Sequence, residues 1–440
     1  MVRSDVGATV VGGAAIVLPG SVSGGYFPSA WNWLTLVFIC VTGLGVLVST
    51  RLSVAPVELA FFALLIALAG WTLASATWEV PGSSGALEAR RAAVYVSGLA
   101  ALTLWTRTGS VAMLLTGMLI GIDSLAVYAL GERIVHPVPT TDPFEGHLLV
   151  GSIGYANALA IVVAIGVIIS VGLAALSSRT PAAQLFRASA CLLVVVLVLT
   201  GSRGGWLALL AGLLACAALA QGSARQRLLA TLLVITPSTA LACVLAPHAR
   251  GPVLAIVIAA AAVAAALIPP PAHLHRLTIA AAAASCAIAI AAGAVAAVSM
   301  SSSYRADYWQ VAARDAADHP LLGSGAGSFA HVWLQRRPVA ISAHDAHSLY
   351  LETLAELGPL GLLLVLALAA TPTIVAVRNR KQPLVAVAGG GYAAFLVHAG
   401  IDWDWEMPVV VLSGLACAVA ILASARVAPS LQILTNRARL

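Results

Sequence analysis

Residues 343–358, with the sequence AHDAHSLYLETLAELG, concentrate polar side chains in a chain in which only 9% of the residues are charged. A neutral imidazole can accept a proton from a hydroxyl group, so His347 is a candidate general base. His344 lies three residues earlier and has the same chemistry. These two histidines and Asp345 also suggest metal ligands, but no complete set of three or four ligands appears, and we predict no metal site.

Four arginines outside the most basic loops are candidate anion-binding residues: Arg90, Arg91, Arg203 and Arg305. An arginine near the edge of a membrane is costly unless it is paired, solvated or extended towards water. One interpretation is that acids pair with them, the candidates being Glu79, Glu88, Asp307 and Asp315. The other is an anionic ligand, because the guanidinium group binds phosphate oxygens through two parallel hydrogen bonds and stays charged. A lipid-linked phosphate or pyrophosphate is the expected anion at such a position.

The segment DWDWEMP, residues 402–408, combines aromatic and acidic side chains. Alternating tryptophans and acids of this kind are candidate ligand-binding residues. The residues concerned are Asp402, Trp403, Asp404 and Glu406. The alternative interpretation is a belt of tryptophans at the membrane interface.

The elements that must position these residues are membrane helices. The chain of 440 residues is 60% hydrophobic, with a mean hydropathy of +0.98, whereas a soluble domain carries roughly 25% charged residues. Apolar runs of roughly the length that crosses a bilayer follow one another along the chain. We therefore predict an all-α, polytopic membrane protein with about 12–14 transmembrane helices. The predicted runs are 6–19, 31–49, 56–77, 92–106, 110–130, 153–176, 187–200, 204–220, 228–246, 251–268, 276–299, 358–377, 384–400 and 408–426.

The distribution of charge predicts the topology. Cytoplasmic loops of membrane proteins are rich in Lys and Arg, and this bias places both termini in the cytoplasm of a multi-pass protein of the inner (plasma) membrane. We expect the first run, 6–19, to be a short membrane helix rather than the hydrophobic part of a signal peptide. The extracytoplasmic face is the predicted active face, because the polar stretches fall there: 78–91, 131–157, 200–205, 300–357 and 402–408.

The long polar segment divides the chain into three predicted parts. Residues 1–299 form N-terminal transmembrane helices with short loops. Residues 300–357 form a larger extracytoplasmic loop with two short helices. Residues 358–440 form C-terminal transmembrane helices and a basic cytoplasmic tail.

The first loop helix carries two candidate residues on one face. Arg305 and Trp309 are four residues apart and therefore lie side by side on a helix. Serines at 301–303 are predicted to cap its start. The glycine-rich residues 321–329 follow it, and we predict a tight turn there, since no lysine follows as in a phosphate-binding loop.

The second loop helix is predicted from its capping residues. Asp345 can cap a helix that begins at Ala346, and Gly358 with the following proline should end it. Its leucines recur at helical spacing, whereas Glu352 and Glu356 lie on a more polar side. We predict an amphipathic helix lying on the membrane surface.

Five segments together resemble a known family. They occur in the order and spacing typical of the O-antigen ligase and polymerase superfamily, whose members are multi-helix GT-C membrane glycosyltransferases with one large outer loop late in the chain. The resemblance is strongest from about residue 150 to 410. The segments are GSIGYANALA (151–160), which holds Asn157, SRGGW (202–206), YRADYWQ (304–310), HPLLGSGAGSF (319–329) and AHSLYLETLAELGPLGLLL (346–364).

The resemblance implies transfer of a glycan from an undecaprenyl-pyrophosphate donor to an acceptor hydroxyl, without a nucleotide sugar, metal or other cofactor. In that family an outer-loop histidine is the proposed base, which corresponds to His347. Family arginines that would hold the pyrophosphate correspond to Arg203 and Arg305. Many members have His-Asn where this chain has His347-Ser348. Direct displacement predicts inversion at the anomeric carbon.

The remaining candidate residues are predicted to bind substrate. With a glycan as the implied substrate, residues 402–408 would shape the glycan groove, because aromatic rings stack on sugar faces and carboxylates bind sugar hydroxyls. The expected partners are the polyprenyl-pyrophosphate-linked glycan, a glycan, lipid or protein acceptor, and membrane lipids, with no nucleic acid. The predicted substrate-binding residues are Arg90, Arg91, Asn157, Ser202, Trp309, Asp402, Trp403, Asp404 and Glu406.

Two alternatives stay open. A polymerase joins two lipid-linked glycans and a ligase uses another acceptor, and the sequence does not separate them. A transporter or flippase would favour ionisable residues deep inside apolar helices. Asp123 is the one clear example in an apolar run, and the concentration of polar groups at one surface argues against transport.

Overall fold

The computed structural model describes residues 2–48, 54–81, 83–136, 147–177, 180–271 and 304–426. Within these ranges every regular element is a helix. Seven helices are long and apolar enough to cross a membrane, and five shorter helices are also apolar. The predicted all-α class and the polytopic membrane architecture are therefore confirmed. The predicted run 276–299 lies outside the described residues.

Fifteen α-helices, numbered here in chain order, occur in the described part of the chain. They are α1 Val2–Gly20, α2 Pro28–Val48, α3 Pro56–Ser75, α4 Gly85–Trp105, α5 Val111–Val135, α6 Ala156–Leu176, α7 Pro181–Leu199, α8 Arg203–Leu219, α9 Gly222–Leu245, α10 Gly251–Leu267, α11 Arg305–Asp318, α12 Phe329–Arg336, α13 Leu349–Arg378, α14 Pro383–Ala399 and α15 Pro408–Ala423.

Helix α6 lies inside the bundle. Its most apolar stretch has a mean hydropathy of 2.9, and 94% of that stretch is buried. A helix that is apolar all round needs apolar neighbours on every side, and α6 contacts α5, α7, α8, α9 and α14. Helix α2, by contrast, is only 22% buried and presents most of its apolar surface outwards. The interior position of α6 gives a fixed start point for Tyr155 and Asn157, which stand at its N-terminus.

Two helix junctions place further polar residues beside that start point. Helix α8 begins after Ser202, whose hydroxyl accepts the backbone N–H of Gly205 at 3.0 Å and so caps the first turn. Helix α14 ends at Ala399, and a short 3₁₀ turn, Asp404–Glu406, leads to α15, which starts with Pro408. Proline suits the first turn of a helix because its missing N–H has no partner to lose there.

A small helical unit made of α11, α12 and the following loop has its own apolar core. Trp333 is fully buried in that core, and its indole N–H donates to the Ile341 carbonyl at 2.7 Å. The residues that share the core are Tyr308, Val311, Ala312, Phe329, Val332, Trp333, Ala343, Ala346 and Ala355. Helix α11 begins after Tyr304, whose side chain makes no capping bond. The serines predicted as caps, 301–303, lie outside the described residues.

This unit joins α13 along a seam of backbone contacts. The N–H groups of Ser324 and Gly325 donate to the carbonyls of Ala355 and Glu356, at 3.0 and 2.8 Å. A Cβ atom on Gly323 would lie 2.3 Å from the Glu356 carbonyl group, and Gly323 itself has φ +75°. Only glycine allows this approach and this backbone conformation. The predicted tight turn is therefore present, and it holds the unit against α13.

The start of the second loop helix differs from the prediction. The helix begins at Leu349, with Ser348 at the N-cap position, and not at Ala346 after an Asp345 cap. The reason is the backbone of His347, which has φ +55°. A residue in this left-handed conformation cannot continue a right-handed helix. The predicted end at Gly358 is a sharp kink (φ 66°, ψ −170°), after which the chain resumes at once as the long apolar part of α13.

The two glutamates on the predicted polar side of this helix bond to neighbouring loops. Glu356 is buried, and its carboxylate accepts the N–H groups of Gly327 and Phe329 at 2.8 and 2.9 Å. Glu352 is half-buried and accepts the N–H of Ala346 at 2.6 Å. Both acids therefore hold the neighbouring loops against the helix.

Candidate active site

The polar stretches that were predicted to reach one face meet there in the structure, as far as they are described. Residues 78–91 join the loop helices through the N–H of Val80, which donates to the Ser324 carbonyl at 2.9 Å. Residues 402–408 contact the start of α6 through Tyr155 and the first loop helix through Arg305. Residues 137–146 of the second stretch lie outside the described residues.

His347 has a geometry suited to a general base. Its Nδ1 lies 3.1 Å from the Asp345 carbonyl oxygen, and a carbonyl can only accept, so Nδ1 carries the proton and Nε2 keeps a lone pair. The ring packs on Tyr308 with centroids 4.9 Å apart and lies 6.3 Å from the Trp403 ring. Trp309 donates its indole N–H to the His347 carbonyl at 3.3 Å. These contacts fix both the tautomer and the ring orientation.

The charge state of His347 follows from its surroundings. Burial lowers the pKa of His347, because the charged imidazolium loses its water; Asp402 opposes this and Arg305 adds to it. The net direction is downwards, so the imidazole is neutral at neutral pH. A neutral imidazole is the form that can accept a proton.

Arg305 forms the central ion pair of the site. Its Nη2 lies 2.7 Å from Oδ2 of Asp402, and its Nε donates to the Ile401 carbonyl at 2.7 Å. Burial would raise the pKa of Asp402, but Arg305 and the nearby imidazoles of His347 and His398 hold it below its usual value. The side chain of Arg305 is 28% exposed and that of Asp402 only 1%. The acid therefore holds the arginine from the buried side, and the arginine side chain is the partly exposed member of the pair.

A tyrosine that the sequence analysis did not single out connects this pair to α6. Tyr155 donates its hydroxyl to Oδ1 of Asp402 at 2.7 Å and accepts the side-chain N–H of Asn157 at 2.8 Å. Its ring also packs on Trp403, with centroids 4.5 Å apart. Asn157, predicted to bind substrate, thus supports the ion pair through Tyr155. Tyr155 stands two residues before Asn157 in the same motif, and this position is the signal that could have identified it.

The three acids of residues 402–408 are buried, with exposures of 1–3%. Asp404 lies against His398, with its carboxylate oxygens 2.8 and 2.9 Å from Nδ1. Glu406 accepts from Arg91 at 3.0 Å. The predicted glycan-binding acids are thus bonded inside the protein, whereas Trp403 is half-buried and faces His347.

Arg91 and Arg90 have different surroundings. Arg91 is buried, pairs with Glu88 and Glu406, and lies 5.5 Å from the centre of the Trp31 ring. The interpretation that an acid pairs with this arginine is therefore confirmed for Glu88. Arg90 is exposed and donates to the side chain of Asn32 at 3.0 Å.

Three carboxylates beside Arg91 lie close enough to share a ligand or protons. One oxygen from each of Asp345, Glu352 and Glu406 lies within 4.8 Å of the others. Burial raises the pKa of Asp345 to about 7 and raises that of Glu406 well above its usual value. Oxygen ligands of this kind suit Mg²⁺ or Ca²⁺, but Arg91 already bonds to Glu406. Protons shared among the acids account for the cluster without an ion.

Most of the predicted residues separate into two groups. The first is a connected set made of His347, Trp309, Arg305, Asp402, Trp403 and Asn157. Ser202 and Arg203 stand at the start of α8, and Asp404 and Arg90 bond to His398 and Asn32. Arg91 and Glu406 form a second, sealed cluster. His398 was missed because a lone histidine in an apolar helix is usually an ordinary core residue.

Comparison with known proteins adds one finding. Residues 188–366 match the sequence model of a family described as O-Antigen ligase. This range contains Arg203, Arg305 and His347, and the predicted resemblance is confirmed. A search of the curated proteins finds no match.

Proposed function

We propose a reaction for a multi-pass membrane protein that carries an O-antigen ligase domain in residues 188–366 and so has an O-antigen ligase-type function in polysaccharide assembly. The protein transfers a glycan from an undecaprenyl-pyrophosphate donor to an acceptor hydroxyl, as a ligase or a polymerase. The observation that carries this proposal is the neutral His347, with Nε2 as its basic atom, near the partly exposed Arg305–Asp402 ion pair.

The base acts on the acceptor. Nε2 of His347 takes the proton of the acceptor hydroxyl while that oxygen attacks the anomeric carbon of the donor sugar. The bond between that carbon and the pyrophosphate oxygen breaks, and both of its electrons leave with the pyrophosphate. A single displacement of this kind inverts the anomeric centre.

The arginines act on the leaving group. Negative charge accumulates on the departing pyrophosphate, and a cation already fixed in place stabilises it without reorganisation. Arg305 is held by Asp402 and by the Ile401 carbonyl before any substrate arrives. Arg203 stands at the N-terminus of α8, where the helix dipole also favours an anion.

The proposed reaction does not need a metal ion. In metal-dependent transferases the cation neutralises the pyrophosphate, and here the two guanidinium groups supply that charge. If the reaction did need a metal ion, the ion would bind to the three carboxylates of Asp345, Glu352 and Glu406. Transfer should therefore continue in excess EDTA, and a loss that Mg²⁺ or Ca²⁺ restores would contradict this part of the proposal.

The proposed orientation puts the termini in the cytoplasm and the site on the extracytoplasmic face. The basic inner loops support this orientation. The rival function, transport or flipping of a lipid-linked or anionic substrate, has weaker support. Asp123 is the main residue in the sequence that favours transport. Its carboxylate oxygens lie 2.9 and 3.0 Å from the Ser189 hydroxyl, which donates to them, so Asp123 is a hydrogen-bonded polar residue between helices.

The two histidines of the loop provide a matched test. We expect His347→Gln to lower the rate of glycan transfer by about 10²-fold or more, measured with purified protein in nanodiscs and an undecaprenyl-pyrophosphate glycan. His344 is exposed, and His344→Gln is the control, with a rate within about twofold of the parent. The anomeric configuration of the product, read by NMR, tests inversion. Full activity of His347→Gln, or loss in the control alone, would mean that the base is misassigned.

A further inference from the structure

His398 is a buried histidine with one bonded and one unbonded ring nitrogen. It lies at the end of α14 and is 0% exposed. Its Nδ1 faces both carboxylate oxygens of Asp404, at 2.8 and 2.9 Å. Its Nε2 has no hydrogen-bond partner among the described residues. Buried polar atoms are normally paired, so this one calls for a physical account.

The unbonded nitrogen is directed at the start of α8. A Cβ atom placed on Gly204 would lie 3.1 Å from His398 Nε2, so the absence of a side chain there leaves room for the imidazole. Gly204 is the second residue of a helix of 17 residues, directly after Arg203. The N-terminus of such a helix presents N–H groups and a partial positive charge, both of which favour an anion.

The same corner also contacts the Arg305 ion pair. The Cβ position of Gly204 lies 3.4 Å from the Ile401 side chain. The carbonyl of Ile401 accepts the Nε–H of Arg305 at 2.7 Å. His398 therefore stands between the helix that begins with Arg203 and the turn that holds Arg305.

We infer that His398 is a third donor to the anion that Arg203 and Arg305 hold, with its Nε2–H directed at an oxygen of that anion. This inference rests on the proposed function and names a binding residue for the pyrophosphate of the donor. Because Nδ1 already carries a proton, Nε2 carries one only when His398 is an imidazolium. The Nδ1–H donates to the Asp404 carboxylate, which orients the ring and compensates the positive charge. The Nε2–H of this imidazolium is a buried donor without an acceptor among the described residues, and a phosphate oxygen removes that cost.

The approach of the anion requires a small movement. Nε2 is sealed from solvent, so an oxygen reaches it only when the first turn of α8 shifts by about the width of that atom. Two successive residues of this turn, Gly204 and Gly205, have no side chains. Gly204 therefore puts no side chain between the helix backbone and Nε2, whereas Gly205 packs against Ala160 and Leu197.

Two substitutions of His398 separate this role from a structural one. The amide N–H of glutamine reaches about as far as Nε2, whereas that of asparagine replaces Nδ1. If Nε2 binds the anion, His398→Gln keeps pyrophosphate affinity within about threefold, and His398→Asn lowers it by about tenfold or more. If the imidazole only braces Asp404, the asparagine variant is the better tolerated of the two, and the inference is overturned.

The measurement uses the full chain in detergent, titrated with inorganic pyrophosphate by calorimetry, with sulfate as the control anion. A second titration, with undecaprenyl pyrophosphate in nanodiscs, shows whether the site binds a pyrophosphate attached to a lipid as well as free pyrophosphate. A loss of affinity in Arg203→Gln and Arg305→Gln, with neither His398 variant affected, overturns this inference and leaves the proposed function standing. Unchanged affinity in all four variants overturns both.

A measurement on the parent protein covers the case in which a variant fails to fold. The ¹⁵N resonance of His398 Nε2, in protein labelled at histidine and assigned with the glutamine variant, should shift when pyrophosphate is added and stay in place with sulfate. No shift at saturating pyrophosphate overturns the inference.

Discussion

Two arginine–carboxylate clusters lie close to His347, and they use the same residue types differently. Arg305 pairs with Asp402 and leaves 28% of its side chain exposed, whereas Arg91 pairs with Glu88 and Glu406 and is only 7% exposed. A partly exposed ion pair can be reached by a ligand, whereas a buried pair is suited to holding parts of the protein together. From this difference in exposure we expect Arg305 to bind a ligand and Arg91 to be structural.

The largest expected effect is on the sealed cluster. Arg91→Gln should lower the free energy of unfolding by about 3–5 kcal/mol, because it leaves buried carboxylates without their cation. Chemical denaturation in detergent measures this. The double variant Arg91→Gln with Glu406→Gln should recover part of the loss, since neither partner is then charged. Weakened pyrophosphate binding by a folded single variant would break the distinction between the clusters.

The next effect is on the open cluster. Arg305→Gln should lower the rate of transfer by about 10²–10³-fold, the usual cost of removing one preorganised donor to developing charge, with little change in stability. The matched control is Arg336→Gln, which removes an exposed arginine–aspartate pair, with Asp318, from the same helical unit. Rates are measured with the nanodisc assay. More than half of the parent activity in Arg305→Gln would contradict the binding role.

A smaller effect concerns the pH dependence of transfer. His347 works as a base only when neutral, and burial lowers its pKa from 6.5. Activity is therefore present above that lowered pKa, and the acid limb of the pH–rate profile should fall below pH 6.5.

Asp402→Asn refines this prediction. Asp402 is the negative neighbour that raises the pKa of His347, so its removal should move the acid limb to lower pH. His344→Gln is the control and should leave the profile unchanged. A limb that moves upwards would show that another group titrates.

The smallest effect tests the protons shared by the three carboxylates of Asp345, Glu352 and Glu406. Burial raises the pKa of Asp345 from 3.8 to about 7, so the folded protein keeps a proton that the unfolded chain has lost in this interval. Stability therefore falls as pH rises through this window. Asp345→Asn removes that loss and should melt about 2 °C above the parent at pH 8, and at the same temperature near pH 4. An equal difference at both pH values would point to packing instead.

The sequence was sufficient for the fold class, and it named candidate residues that the structure brings together. Apolar runs of membrane-spanning length predict the helices, and the motifs that hold Arg203, Arg305 and His347 predict residues that the structure brings to one face. These signals are local, or they come from the resemblance to a family. Charge alone did not identify partners: Asp402 was not among the acids considered for the four arginines, yet it pairs with Arg305, 97 residues away.

Burial of polar groups was the part that could not be predicted. Helical spacing correctly sets Glu352 and Glu356 apart from the leucines, but it cannot reveal that the loop at 321–329 covers that side. Likewise, the left-handed backbone of His347 depends on contacts distant in sequence, including the indole of Trp309. Tertiary contacts decide such features, and no local pattern contains them.

The seam between the small helical unit and α13 has a consequence for how related sequences can diverge. Gly323 and Gly358 bring two backbone segments together, and a side chain at either position would collide with the opposite segment. Asp315 of α11 also bonds to this junction, through the hydroxyl of Ser324, whereas exposed positions of α11 and α12 such as Arg336 lie at the surface. We therefore expect the unit to vary at its exposed positions, while these two positions are inherited together as glycine.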